Sequence, residues 1–340
     1  MLNVFYIHSS ITEILAHAVI AHKAIEKRDV IFLFNRGYEP YDNSYKSYRF
    51  IYSTHEINHL ARKNLFVSWR KYFSFKKYIK TVTADRKYYA YIPQTYRHFF
   101  NLMINQTKCV GFSIIEEGSD SYYMSDKLQE IYPPLKQSFW HLIGYFNKIK
   151  DIEYYSNLAD NFIGITPYAF PDYPRRMILD IDLLSHDTDI EIFSFDNCHI
   201  IALDADSIHG FIPLNKSIKA LKKVIQYIYR NYGIDIRLYY KMHPAQLDTE
   251  EEGIFDVQFK LITNGKAKRL PNNVSLELLA KSSAEVYFYT GISSVSMYTK
   301  WWGKKVYSYI NLLVDECPEY SNRLNLLPEI LFKDVPILTF

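Results

Sequence analysis

Cysteine is scarce in this chain of 340 residues: Cys109, Cys198 and Cys317 are odd in number and far apart. Neither a disulfide framework nor a zinc site is indicated, and free thiols in a reducing compartment are the expectation. Glycine is also sparse, at 11 residues, and there is no internal repeat or low-complexity tract. No stretch approaches the roughly 20 uninterrupted apolar residues of a membrane span. The opening MLNVFYIHSS has no basic leader ahead of an apolar core, so it does not read as a signal peptide. A cytoplasmic protein is expected, with peripheral attachment to the cytoplasmic face of the inner membrane left open. Excess charge is missing too: 40 Lys and Arg against 37 Asp and Glu leave +3, so no nucleic-acid partner is expected.

What is present is apolar and aromatic. Nearly half of the residues are hydrophobic, and Tyr (31) and Phe (22) are abundant, mostly as core and half-buried strand positions. The length suits about two domains. Asn3–Ile7 and Val30–Phe34 read as strands either side of a helix from about Ile11 to Glu26, with His8-Ser9-Ser10 as the turn between. That is the βαβ unit of a parallel sheet. The pattern continues less cleanly to a strand at Val110–Ile115. A second series begins at Ile190–Phe195 and His199–Leu203. The strongest helix, Ser217–Tyr232, puts Ile218, Leu221, Val224, Ile225 and Ile228 on one face and meets Gly233 at its end. Ile236–Tyr240 and Ala284–Tyr289 read as strands, Leu276–Lys281 and Ser293–Trp301 as helices. The segment from Thr166 to His186, with Pro167, Pro171 and Pro174, reads as an interdomain connection.

Three elements carry chemistry. Glu116-Glu117-Gly118 ends a strand, where ligands of parallel sheets bind. Adjacent like charges there can raise one carboxyl toward the range of a general base, although a solvated acidic turn has the same spelling. Lys241-Met242-His243-Pro244 also follows a strand. Its histidine can serve a phosphate as proton or hydrogen-bond donor, and Lys241 lies one alternation away. In Gly291-Ile292-Ser293-Ser294 a glycine turn opens a helix, whose unpaired N–H groups suit a phosphate. Helix capping explains one serine; it explains the pair and the glycine less well.

In this order, roughly over residues 110–300, the three elements resemble the bacterial sialyltransferases of GT-B fold. The resemblance extends to Leu270–Glu277. It implies an α/β chain of two Rossmann-like parallel-sheet domains facing a central cleft: an acceptor-side domain at 1–170 and a CMP-donor domain at 171–340, whose last helix can pack back on the first. It implies an inverting transfer of sialic acid, or a related nonulosonic acid, from its CMP conjugate to a glycan hydroxyl of lipooligosaccharide or capsule. Glu117 would be the base, with Glu116 as second choice. His243 would assist the leaving phosphate, while Lys241, Pro244, Glu277, Gly291, Ser293 and Ser294 would bind CMP.

No metal or other cofactor is expected. Asp204/Asp206 and Asp180/Asp182 spell Asp-x-Asp, but this pattern is frequent by chance, and one phosphate needs no divalent ion. Arg62, Lys63, Arg70, Lys71, Lys76, Lys77 and Lys80 alternate with aromatic residues, which fits either an anionic membrane surface or the outer face of an ordinary helix. Trp301-Trp302 reads as packing between domains. Two rivals stay open: a GT-B transferase using another nucleotide sugar such as a UDP-hexose, and a non-catalytic glycan-binding protein.

Overall fold

Five of the six residues of β1 (Leu2–Ile7) are buried. A strand apolar on both faces belongs inside a parallel sheet with cover on both sides, and the computed structural model places it there. The structure describes residues 1–35, 38, 40–52, 65–133, 153–180 and 195–338. They divide into two compact units, Met1–His186 and Asp187–Phe340.

In the first unit β1 is joined by β2 (Val30–Phe34), β3 (Ser47–Arg49), β4 (Tyr88–Ile92), β5 (Cys109–Ile115), β6 (Phe162–Gly164) and β7 (Arg176–Ile178). The sheet order is β3-β2-β1-β4-β5-β6-β7 and all pairings are parallel. Helices α1 (Ser10–His22), α2 (Leu65–Val82), α3 (His98–Ile104) and α4 (Ser125–Ile131) lie between the strands in sequence. The chain winds from β1 to β3 in one direction and then crosses to β4 on the other side of β1. The crevice beyond the carboxyl ends of β1 and β4 is therefore a topological switch point, where ligands of open α/β sheets bind.

The second unit repeats this plan with β8 (Cys198–Ala202), α5 (Leu214–Tyr232), β9 (Arg237–Lys241), α6 (Glu250–Ile262), β10 (Lys268–Arg269), α7 (Leu276–Lys281), β11 (Val286–Thr290), α8 (Ser294–Trp301), β12 (Lys305–Ser308) and α9 (Ile310–Glu316). Its parallel sheet has the order β10-β9-β8-β11-β12, so the switch point lies between β8 and β11. Helix α5 buries Leu221, Val224, Ile225 and Ile228. Each such side chain contributes on the order of 2 kcal/mol of hydrophobic stabilisation.

Several element ends differ from the sequence pattern. Helix α5 begins one turn before Ser217, directly after Pro213, whose fixed φ suits a helix start. Helix α1 stops at His22, and the chain turns through Ala24 at φ 50°. Within the segment read as an interdomain connection, β7 pairs with β6 at the edge of the first sheet. The strand read at Ile190–Phe195 lies, up to residue 194, outside the described residues, as do Asp182, Arg62 and Lys63. The three cysteines are buried free thiols. Trp302 stacks on Tyr298 at 5.7 Å within the second unit, while Trp301 is half exposed. Among the described residues no helix is long and apolar enough to cross a membrane.

Candidate functional site

The two carboxylates that end β5 face different surroundings. Glu116 is fully buried. One of its oxygens accepts from the Tyr122 hydroxyl, and the other accepts from the Ile165 amide at 2.9 Å. It also abuts Gly164, where an added Cβ would come within 2.8 Å of Oε2. Glu116 thus ties β5 to the chain after β6. After Glu117 the chain turns at Gly118, whose φ of 130° is open to glycine and strained for other residues.

Glu117 lies at the switch point. Its Oε2 is 3.7 Å from His8 Nε2, just beyond β1. Its Oε1 accepts from the Tyr154 hydroxyl at 2.9 Å and lies 3.4 Å from Gln94 Nε2, just beyond β4. The Ser121 hydroxyl accepts from the Glu117 amide at 3.1 Å. Tyr154 also reaches Asp120. Burial, followed by the charges of Glu117 and Asp120, holds the Tyr154 phenol far above its ordinary pKa, so it stays protonated. With one hydrogen to give, it serves Glu117 or Asp120 at any moment. A carboxylate oriented by three side chains, and still about 10 % exposed, is equipped to take a proton. His8, Gln94 and Tyr154 escaped the sequence reading. Only His8 left a signal there, as a histidine directly after the first strand.

In the second unit the strand ends are level: Lys241 pairs in register with Ala202, and Ala202 with Thr290. The chain leaving each strand starts from one carboxyl edge. With strands about 4.8 Å apart, the ends of β9 and β11 are roughly 10 Å apart across β8.

His243 caps the short turn Pro244–Gln246. Its Nδ1 accepts from the Ala245 amide at 3.1 Å, and its own amide donates to Gln246 Oε1 at 3.0 Å. An accepting Nδ1 assigns the hydrogen of the neutral ring to Nε2, leaving that nitrogen as the donor. Pro244 supplies the fixed first position of this turn. Lys241 Nζ donates to the carbonyls of Pro271 (3.0 Å) and Asn272 (3.1 Å), which joins the end of β9 to the loop before α7. Burial, with Arg269 nearby and against the pull of Glu277, pushes the Lys241 ammonium down to about 8. Glu277 stands in the first turn of α7 and accepts from the Ser275 hydroxyl at 3.0 Å.

Ser293 is the N-cap of α8, its Oγ accepting from the Val295 amide at 3.2 Å, and Ser294 is the first helical residue. Both are partly exposed. The N–H groups of this helix start thus open beside β11. Gly291 is needed for close approach: an added Cβ would meet Asp204 Oδ2 at 2.2 Å and the Tyr309 ring at 3.3 Å. Gly291→Ala is expected to lower stability by about 1–3 kcal/mol. In thermal unfolding, Asp204→Ala should restore part of that loss when combined with it.

The Asp-x-Asp pair at Asp204/Asp206 is engaged within the unit. Asp206 accepts from the Tyr320 hydroxyl and lies 3.7 Å from Arg323. Burial and the Asp206 charge push the Asp204 carboxyl up to about 7. Among the described residues no group of three or more His, Cys, Asp or Glu side chains is arranged to hold a metal ion.

No protein-family model and no curated protein matches the sequence. Solved structures do match over nearly the whole chain. UDP-GlcNAc 2-epimerase from Neisseria meningitidis, bound to UDP-GlcNAc, is 10% identical, with 99% of this chain and 95% of that one covered and a TM-score of 0.51. The Methanocaldococcus jannaschii UDP-GlcNAc 2-epimerase, in complex with UDP-GlcNAc and UDP, is 14% identical over 94% and 87%, at 0.50. A sialyltransferase from Photobacterium damsela is 13% identical over 99% and 81%, at 0.49, a likeness too slight to separate one activity from another. What the two epimerase likenesses establish is the fold: two parallel-sheet, Rossmann-like units of the GT-B class.

Proposed function

We propose that the chain is an enzyme that acts on a nucleotide-activated sugar, and that its donor is a CMP-linked sialic acid or related nonulosonic acid. The observation that carries the proposal is the placement of the three motifs at carboxyl edges. Glu117 stands at the switch point of the first sheet, while in the second Lys241 ends β9 and His243 and Ser293-Ser294 follow the level strand ends. The choice of CMP rests on the order and spelling of those motifs.

In the proposed reaction Glu117 Oε2 takes the proton of an acceptor hydroxyl, whose oxygen attacks the anomeric carbon of the donor sugar. The bond from that carbon to the phosphate oxygen breaks and CMP leaves, with inversion at carbon. Negative charge grows on the departing phosphate. His243 Nε2–H and the N–H groups at the start of α8 would be donors to such charge, and preorganised donors lower the barrier most where charge develops. Lys241 and Glu277 would hold the nucleotide, the former as a cation and the latter through its ribose hydroxyls.

Lys241 makes this reading pH-sensitive. An anionic donor favours the charged ammonium, which in the free protein is lost as pH rises through about 8. Donor affinity should be full below that pH and fall above it; titration of the donor on either side of pH 8 checks this. Transfer itself is tested by incubation with CMP-Neu5Ac and galactose-terminated acceptors. A sialylated product is expected, and the absence of both transfer and donor hydrolysis would refute the proposal.

A second reading, a UDP-hexose donor, is favoured by the two epimerase structures of TM-score 0.50 and above, both of which contain UDP-GlcNAc.

A further inference from the structure

Helix α2 has two contrasting faces. Phe75, Ile79 and Val82, spaced four and three residues apart, are buried. The rings of Phe50, Tyr52 and Phe99 pack on Phe75. On the opposite side Trp69 is 42% exposed and Phe73 53% exposed, their rings 5.7 Å apart one turn from each other. At 100° per residue, Trp69, Arg70, Phe73, Lys76, Lys77 and Lys80 fall within about a third of the helix circumference. The four basic residues are all exposed. The 18 residues of α2 include no Asp or Glu. Lys80 pairs with Asp85, past the end of the helix, at 3.6 Å.

We infer that this outer face of α2 docks on an anionic lipid bilayer, with Trp69 and Phe73 entering the headgroup boundary and Arg70, Lys76, Lys77 and Lys80 meeting lipid phosphates. Amphipathic helices that lie in a membrane interface join such a cationic rim to aromatic anchors. Charge complementarity selects this occupant. A second copy of the chain placed symmetrically on this face would oppose the same acid-free cationic rim. The inner face already supplies the packing that holds α2 on its domain, and among the described residues the exposed rings make ring contacts only within the helix. The chain passes from Val82 through a short turn into β4, which puts the C-terminal end of α2 at the amino edge of the sheet. Trp69 and Phe73 thus lie in the half of the helix that runs back toward the carboxyl edge, where Glu117 stands. Docking is independent of the proposed donor and of catalysis.

The test is co-sedimentation of the full chain with vesicles of phosphatidylcholine alone and of phosphatidylcholine mixed with phosphatidylglycerol. Affinity for the anionic vesicles should be at least about tenfold higher and should fall as salt screens the charges. Lys76→Glu/Lys77→Glu and Trp69→Ala/Phe73→Ala should each reduce it by about tenfold or more, with thermal unfolding unchanged because the altered side chains face outward. Equal binding to both vesicle types, or binding to neither, overturns the inference. So does a stable dimer by light scattering that the Trp69→Ala/Phe73→Ala variant dissociates, since a second copy would then cover this face.

Discussion

Replacing Glu117 with glutamine is expected to lower kcat by about 10²- to 10⁴-fold, the usual range for loss of a positioned general base. Glutamine keeps the size of the side chain and can still accept from Tyr154 at its amide oxygen. The missing capacity is the uptake of a proton, so the effect belongs to turnover, and donor affinity should be nearly unchanged. Glu116→Gln provides the contrast. Both Glu116 oxygens accept hydrogen bonds inside the domain, from Tyr122 and from the Ile165 amide. A glutamine turns an NH₂ group toward one of these donors and leaves a buried polar group unsatisfied. The expected result is a loss of about 1–3 kcal/mol in stability. Kinetics and thermal unfolding of the two variants, measured together, distinguish a base from a structural carboxylate.

The second large effect is expected from His243→Ala. Removal of one preorganised donor to a developing anion costs on the order of 10²-fold in kcat or more. Because the Nδ1 contact with the Ala245 amide assigns the hydrogen to Nε2, His243→Gln can restore part of the loss only if its amide reaches the same position. His243 is exposed and caps a turn of three residues, so the alanine variant should fold. Full activity in that variant would assign the leaving-group role elsewhere, and would favour a non-catalytic, glycan-binding protein if Glu117→Gln were also without effect.

The parts of this molecule that sequence reveals are those set by local chemistry. β1 and β2 are unbroken apolar runs on either side of a helical pattern, and α5 carries its buried stripe in plain periodicity. β6 and β7, at three residues each, are too short for any period to emerge. β4, Tyr88–Ile92, is an aromatic run directly after Arg86 and Lys87 and shows no alternation. For the site, Glu117, His243 and Ser293 are recognisable because each follows its own strand. His8 follows a strand as well, but nothing in the sequence joins it, Gln94 or Tyr154 to Glu117, because residues so distant in sequence meet only through the strand order β1-β4-β5. That order depends on a crossover with no local signature. The Asp204/Asp206 pair shows the reverse problem. Its spelling suggests a metal site, whereas Tyr320 and Arg323, more than a hundred residues away, bind Asp206 within the unit's own packing.

The nucleotide that leaves separates the two donors, and a side-by-side release assay measures it directly. The protein is incubated with CMP-Neu5Ac, UDP-GlcNAc and UDP-galactose in the presence of a glycan acceptor, and free CMP and UDP are quantified. Release of CMP is expected, suppressed in both Glu117→Gln and His243→Ala, with little UDP. Release of UDP without CMP, suppressed by the same substitutions, would contradict the CMP donor and leave the site assignments standing.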